Sequence, residues 1–424
     1  MSTPPKPLGR RLRLAAATTL GDLAAWASRR LGRGSGASIR GQILTRLAPN
    51  AFEDLVAGRR IIAVSGTNGK TTTTHMLAAA IKAGLGADAS RMVTNTDGAN
   101  LHYGLASALA KAPKADVAVL ETDERVVADL IRLGRPEILV LLNFSRDQMD
   151  RHHEIKGLGR SWRDALIQAG PEGPTVIANA DDPLVVWASR EAKAVVWVDA
   201  ASSWTGDGAL CPNCGALLTH APDGSTWDCP SCDLTKPPVA YRVEGTSIVL
   251  PDGSRHETKL NVPGAFNVSN AACALAAAVT WGVDPEVALD AFRTVKAPAG
   301  RFATASFGAT TARLLLAKNP AGWTEALPLV HTNPVILAID SVAADGKDVS
   351  WLWDVDYEQL AGRHVIATGP RAYDLAVRLS HADVEHDVIL DLDAALARCA
   401  GPDVVDCIAT YTPFQALLKK AGLR

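Results

Sequence analysis

The chain has no excess of either charge: its net charge is −2 over 424 residues, and that excludes a bulk electrostatic grip on nucleic acid. Aromatic residues make up only 5% of it, so its helices are expected to pack through small side chains. Cysteine is scarce, at seven residues, and four of these crowd into one cluster. That distribution excludes a disulfide framework and suits a metal site in a reducing, cytoplasmic compartment. The N-terminal apolar stretch is too short and too polar to cross a bilayer, is broken by Asp22, and lacks a convincing cleavage site for a signal peptide.

What is present is organised around residues 61–72. Ile61 to Val64 reads as a buried strand, and Thr71 onward reads as a helix. Between them lies the turn Gly66-Thr67-Asn68-Gly69-Lys70-Thr71. Strand, glycine turn, Lys-Thr and helix form a phosphate cradle: backbone N–H groups and a helix N-terminus face an anion. Lys70 adds a point charge there, and Thr71 offers a hydroxyl to Mg²⁺. The strict P-loop would place glycine where Val64 stands, so this is a shortened variant. An ordinary strand-to-helix turn would not require Lys-Thr at that place.

Further strands are expected at 91–94, 115–120, 137–143 and 175–178, alternating with helical stretches, which calls for a parallel sheet covered on both faces. Polar clusters follow several of these strands, at the edge where open α/β sheets bind ligands. Glu121, closing the second of them, is the expected partner of Thr71 on Mg²⁺; capping the next helix is its alternative role. Asn267 and Asn270 stand near the start of an alanine-rich helix, as caps or as readers of an adenine edge. A second, smaller open sheet is expected beyond residue 298, from strands at 312–316, 335–339, 364–368, 387–390 and 405–411.

Residues 204–238 read as an insertion. Cys211-Pro212-Asn213-Cys214 and Cys229-Pro230-Ser231-Cys232 are two CxxC knuckles separated by fourteen residues, the pattern of a closed, structural Zn²⁺ site. The intervening loop holds no Lys or Arg, which argues against a nucleic-acid ribbon. The first fifty residues carry nine Lys/Arg against one acid, with Leu12, Ala16, Leu20, Leu23, Ala27 and Leu31 at helical spacing. An amphipathic helix packed on the body through that face is expected; a basic face on anionic lipid, at the inner surface of the plasma membrane, is the alternative.

In order along the chain stand GTNGKT, TNTDGAN, Glu121, NFSRDQMDRHH, NADDP, GAFNVSN, GRF and AKNPAGW. This order resembles that of the Mur ligases, the ATP-dependent amide-bond enzymes of peptidoglycan synthesis, which are related to folylpolyglutamate synthase. Gln148 and Lys318 replace histidines of the family's pattern. The four-cysteine insertion, together with the segment Ala344-Asp345-Gly346-Lys347-Asp348-Val349-Ser350-Trp351-Leu352-Trp353-Asp354, is similar to the MurT branch. The resemblance implies an N-terminal basic helical segment (1–54), a central ATP-binding domain (55–297) with the zinc-ribbon insertion, and a Rossmann-like C-terminal domain (298–424). Only 60 residues precede Ile61, so the UDP-holding domain of a full Mur ligase is not expected.

For function, the resemblance implies amidation of the D-glutamate α-carboxyl in the lipid II stem peptide, through an acyl phosphate. ATP would lie on Gly66, Thr67, Asn68, Gly69, Lys70, Thr71 and Thr72, with Asn267 and Arg301 at nucleotide-contacting positions of the family. The ammonia would come from a glutamine amidotransferase subunit, GatD, in a heterodimer. None of Cys273, Cys399 and Cys407 lies in a glycine-flanked elbow, so the glutaminase nucleophile is expected in that partner. An acid of the 344–354 segment would complete the partner's Cys–His pair, with Asp348 first, then Asp345 and Asp354. The rivals are a folylpolyglutamate-synthase-like ligase, a zinc-ribbon nucleic-acid ATPase and a non-catalytic scaffold.

Overall fold

The structure, a computed structural model, describes residues 7–30, 36–95, 99–145, 155–201, 206–296, 302–342, 345–401 and 403–423. Three helices come first: α1 (Leu8–Arg30), α2 (Ala37–Leu47) and α3 (Ala51–Val56). An alternating run follows: β1 (Arg60–Ser65), α4 (Lys70–Leu85), β2 (Met92–Thr94), α5 (His102–Lys111), β3 (Val117–Glu121), the single turn α6 (Val127–Asp129) and β4 (Ile138–Leu141). It continues with α7 (Ile155–Ala169), β5 (Thr175–Asn179), α8 (Pro183–Ser189) and β6 (Ala194–Asp199). The small ribbon β7 (Thr219–His220) and β8 (Trp227–Asp228) precedes β9 (Tyr241–Glu244), β10 (Ser247–Val249) and β11 (Arg255–Glu257).

These strands, less the ribbon, form one nine-stranded sheet in the order β11-β10-β9-β6-β5-β4-β1-β3-β2. β1 to β6 pair in parallel, and the β9–β10–β11 meander adds an antiparallel edge that the sequence reading did not anticipate, as it did not anticipate β6. β1 is buried over its last five residues, as a central parallel strand covered on both faces requires. It lies between β3 and β4, where the strand order reverses, and this places the turn after it in the crevice that binds ligands in such sheets. α9 (Ala265–Trp281) covers one face. Its residues Asn270 to Ala278 are all buried, and alanine allows α4 and the sheet to approach it closely. α10 (Pro285–Arg293), capped by Asp284, packs beside it.

The second sheet holds β12 (Phe302–Phe307), β13 (Thr310–Leu316), β14 (Val335–Ala338), β15 (Val365–Thr368), β16 (His386–Val388) and β17 (Val404–Ala409). Its order is β12-β13-β17-β14-β15-β16, parallel except for β12. Its helices are α11 (Pro320–Ala326), α12 (Ala372–His381), α13 (Leu392–Arg398) and α14 (Tyr411–Lys420). Tyr411, expected to end a strand, opens α14 instead. The expected junction at 297–298 lies outside the described residues.

One expectation is corrected by packing. α1 is helical, but it meets the body through Ala17, Gly21, Ala25 and Ser28, while Leu12, Leu20 and Leu23 are exposed. A Cβ on Gly21 would lie 3.0 Å from the Arg40 carbonyl oxygen of α2, so at that point the two helices approach too closely for leucine, and half-buried Leu14 packs on the α1–α2 cluster a step away. Leu31 is outside the described residues.

Candidate functional site

The turn after β1 is held from two sides. Gly66 (φ 139°) and Gly69 (φ 85°) adopt conformations that favour glycine. A side chain at Gly66 would strike the backbone of Asn143 and the Leu142 side chain, both just past β4; one at Gly69 would strike the Asn270 side chain of α9. The Thr67 backbone N–H donates to the Asn143 carbonyl at 2.9 Å, and the Asn68 N–H donates to the Asn143 side-chain oxygen at 2.8 Å. The Asn68 amide donates to the Ser145 hydroxyl at 2.9 Å. The shape of the turn is thus fixed by its neighbours, as a rigid phosphate cradle must be.

Lys70, at the first position of α4, is buried. Its ammonium donates to the carbonyls of Gly66 and Thr67 and pairs with the Glu124 carboxylate at 3.2 Å. Thr72 is buried and lines the same cleft. Glu121 is buried at the end of β3, in register with Val64. Asn95 clamps its backbone on both sides, and the Asn100 amide donates to its carboxylate at 3.1 Å. The next helix, α6, has Val126 at its N-cap and no side-chain capping bond, so Glu121 does not cap it. Thr71 and Glu121 therefore stand at adjacent strand ends, Thr71 in the first turn of α4 and Glu121 at the foot of β3, a placement that fits a hard cation shared with phosphate.

A cleft opens beside the turn, lined by Thr67, Asn68, Gly69, Asn267 and Asn270 on one side and by Leu315, Lys318 and Gly322 of the second sheet on the other. Asn267 and Asn270 do not cap α9. The Asn267 amide donates to the Pro263 carbonyl, and the Asn270 amide donates to the Asn267 oxygen at 3.1 Å. Across the cleft, Asn68 and Asn319 exchange amide bonds at 3.4 Å each way. Asn319 also caps α11, accepting from the Gly322 N–H at 2.9 Å. Asp182 is a cap as well: it accepts from the N–H groups of Phe144, Leu184 and Val185, and burial still pushes its carboxyl up to about 6. Arg301, and residues 96–98 and 146–153 of two motifs, lie outside the described residues.

Sequence reasoning gave no role to Glu124, Asn319, Asp207 or His220. Asn319 stands inside the AKNPAGW motif and Glu124 three residues after Glu121, but only the fold shows what they meet. Asp207 and His220 come from the insertion and line the cleft. Nothing local in the sequence marks either of them.

In the insertion, the four sulfurs of Cys211, Cys214, Cys229 and Cys232 all lie within 4.8 Å of one another. The pairs Cys211–Cys232 and Cys214–Cys229 are 3.6 and 3.4 Å apart. These are too long for disulfides and close to the edge of about 3.8 Å that a tetrahedron of ~2.3 Å metal–sulfur bonds would have. The donor set fits a closed tetrahedral ion. The ribbon is seated on the sheet by Trp227, which donates to the Ala180 carbonyl at 3.0 Å, and Lys236 pairs with Asp181 and Asp199. Burial pushes the Cys273 and Cys407 thiols up to about 12, and that of Cys399 upward, so none of these is a poised nucleophile.

The acids of the 344–354 segment differ in their surroundings. Asp345 is buried and receives the Thr412 backbone N–H at 2.7 Å and the Thr412 hydroxyl, at the start of α14. Asp348 is exposed; one oxygen accepts from the Ser350 N–H at 2.8 Å, and the Ser350 bonds hold its carboxyl below the usual range. Asp354 is exposed, in a short 3-10 turn with Trp353.

Two family models match the chain: "Mur ligase middle domain" over residues 64–206 and "MurT ligase C-terminal" over residues 316–414. The MurT subunit of lipid II isoglutaminyl synthase (glutamine-hydrolysing) from Streptococcus pneumoniae is 31% identical over 399 residues, spanning 85% of this chain and 86% of that one. Its counterpart in Staphylococcus aureus strain N315 is 28% identical over 428 residues, 95% and 96% of the two chains. Among solved structures, a pseudomurein peptide ligase type C from Methanothermus fervidus shares the fold at a TM-score of 0.65, with 18% identity and coverage of 90% and 83%. With a glycine-pinned lysine loop facing a second sheet, and with relatives of this extent, the chain belongs to the MurT family of the ATP-dependent Mur ligases.

Proposed function

We propose that this chain amidates the α-carboxyl of D-glutamate in the lipid II stem peptide, giving D-isoglutamine, with ammonia supplied by a separate glutaminase of the GatD type. The observation that carries this reading is the division within the molecule: a buried lysine loop with Glu121 beside it, and burial that raises the thiols of Cys273, Cys399 and Cys407, the three cysteines outside the four-sulfur cluster.

ATP would lie with its phosphates on Gly66 to Thr72, its terminal phosphate taking Lys70 away from Glu124. Thr71 and Glu121 would hold Mg²⁺, which supplies charge neutralisation for the phosphoryl group. The substrate carboxylate oxygen attacks the γ-phosphorus, ADP departs, and an acyl phosphate forms. Ammonia adds to its carbonyl carbon, phosphate leaves with the bonding electrons, and the nitrogen loses a proton. Lys70 stabilises the charge spreading over the transferring oxygens. The second sheet, in touch with the loop through Asn319, is placed to exclude water from the acyl phosphate. Zn²⁺ in the four-cysteine site would brace the ribbon that carries His220 to the cleft.

Asp348 would orient the partner's histidine. Its exposure suits a shared site, whereas Asp345 is already engaged by Thr412. The exposed Trp353, with Tyr373 and Val377 on α12, offers an apolar surface for such a partner. The work would take place at the inner face of the membrane; no described helix is long and apolar enough to cross it.

The test is amidation of lipid II by the purified chain with ATP, comparing ammonium with glutamine, with and without a GatD-type subunit. ATP-dependent amidation with ammonium alone, and with glutamine only when the subunit is present, is expected. Glutamine use by the isolated chain would remove the shared-site reading, and no amidation with either donor would remove the substrate assignment.

A further inference from the structure

We infer that the outward face of α1 is a docking surface for an anionic lipid bilayer. A surface helix ordinarily turns its large apolar side chains inward. α1 does largely the reverse: its fully buried seam residues are Ala17, Gly21, Ala25 and Ser28, with half-buried Leu14 beside them, while Leu8, Leu12, Leu20 and Leu23 face out. Leu8, Leu12, Leu23 and Trp26 are 72%, 62%, 58% and 53% exposed. At 1.5 Å per residue they mark a stripe about 27 Å long on one side of a straight helix, with spacings of 4, 11 and 3 residues. The stripe lies opposite the buried seam.

Charge selects the occupant. The helix has five arginines and one acid, and that acid, Asp22, is paired with Arg40 of α2 at 2.7 Å. The first fifty residues sum to +8 and the other 374 to −10, so the positive charge is gathered where the leucines are exposed. Arg11, Arg13, Arg29 and Arg30 are exposed along the helix, and the Arg30 guanidinium lies 5.1 Å from the Trp26 ring. Leucines and an interfacial tryptophan between arginines make the composition of a helix lying in a headgroup layer, with long cationic side chains reaching the phosphates. An acidic protein would be met by the arginines, but it would not call for exposed leucines and a tryptophan along one side of the helix.

The helix is also placed for this use. Its C-terminal half lies against Gly36 at the start of α2, and Gly41 of α2 packs on Tyr103 in the first turn of α5. α5 begins immediately after Asn100, which holds the Glu121 carboxylate. The Trp26 end of α1 therefore stands toward the ligand edge of the first sheet. The assignment rests on the lipid-linked substrate proposed above for its purpose, though not for the observations that carry it.

The test is flotation of the full chain with vesicles free of lipid II, made of phosphatidylcholine alone or of equimolar phosphatidylcholine and phosphatidylglycerol. Binding to the anionic vesicles is expected, weakened by raised salt. Leu12→Ser/Leu23→Ser should lower the partition about tenfold or more, since two exposed leucines lose their burial in lipid. Arg11→Gln/Arg30→Gln should remove several-fold of the preference for anionic vesicles. Unchanged melting curves confirm that the variants are folded. No flotation of the wild-type chain, or equal flotation of all three proteins, overturns the assignment. A wild-type dimer in sedimentation that the leucine variant dissociates, with no vesicle binding, also overturns it and gives the face to a second copy. Because the vesicles hold no lipid II, failure here leaves the amidation assay in detergent to stand or fall by itself.

Discussion

In the loop from Gly66 to Lys70, the Thr67 and Asn68 side chains and the lysine ammonium are bonded to other groups of the same chain. In the segment from Asp345 to Asp354 the pattern splits: Asp345 is enclosed by Thr412, and three residues later Asp348 points a carboxylate outward from a turn that uses one of its oxygens. The first region is furnished from within, as a site for a small ligand must be if it is to be rigid before the ligand arrives. The second is half furnished, as suits a group that completes chemistry begun on another molecule. Where a polar side chain finds its partners is thus a guide to whether a site belongs to one chain or to two.

The sharpest test of that contrast is Lys70→Ala. We predict loss of amidation to below detection with glutamine and ammonium alike, in a protein that remains folded, measured by product formation and thermal melting. Turnover with either donor would place phosphoryl chemistry elsewhere. Asp348→Asn should act on one donor only. Glutamine-dependent amidation should fall by a factor on the order of 10⁴, the loss seen when a triad's orienting Asp is replaced. ATP binding and complex formation should stay near normal, and ammonium at raised pH should restore most of the rate. A variant that ammonium fails to rescue would put Asp348 in the synthetase step.

Cys211→Ser should reduce bound zinc below one equivalent and lower the melting temperature by about 5–10 °C, because Cys211 is buried in the cluster around Trp227. Metal analysis beside calorimetry decides it; a stable, metal-free wild-type protein would end the closed-site reading. The smallest effect is expected for Asn319→Ala. Loss of the α11 cap should cost about 1 kcal/mol, and nucleotide affinity should change by only a few-fold, read by titration calorimetry.

Much of the first sheet was legible because its signals are local. A β-branched run before a glycine turn, with Lys-Thr opening a helix, needs no distant information, and β1 and α4 form there. The parallel strands of the second sheet followed from the same alternation. The β9–β11 meander did not, because short exposed strands such as β11 carry little apolar pattern. α1 shows why periodicity can name the wrong face. Its leucines have helical spacing, but close approach to α2 selects alanine, glycine and serine for the seam, and no count of apolar residues distinguishes a packed stripe from a displayed one. His220 and Asn319 were beyond reach for a different reason: the first lines a cleft shared with parts of the chain remote in sequence, and the second bonds to Asn68.

The paired amides of Asn68 and Asn319 make the phosphate turn and the second sheet thermodynamically answerable to each other. A nucleotide that reorients Asn68 must alter the affinity between the two sheets, and whatever shifts the second sheet must alter nucleotide affinity by the same factor. A subunit docked near Asp348, as proposed, would hold a lever on that equilibrium although it would touch no phosphate. A bias of about 1.4 kcal/mol from such docking would change ATP occupancy tenfold at low concentration. The two half-reactions would then be kept in step by linkage, with ATP held tightly where a source of ammonia is already in place.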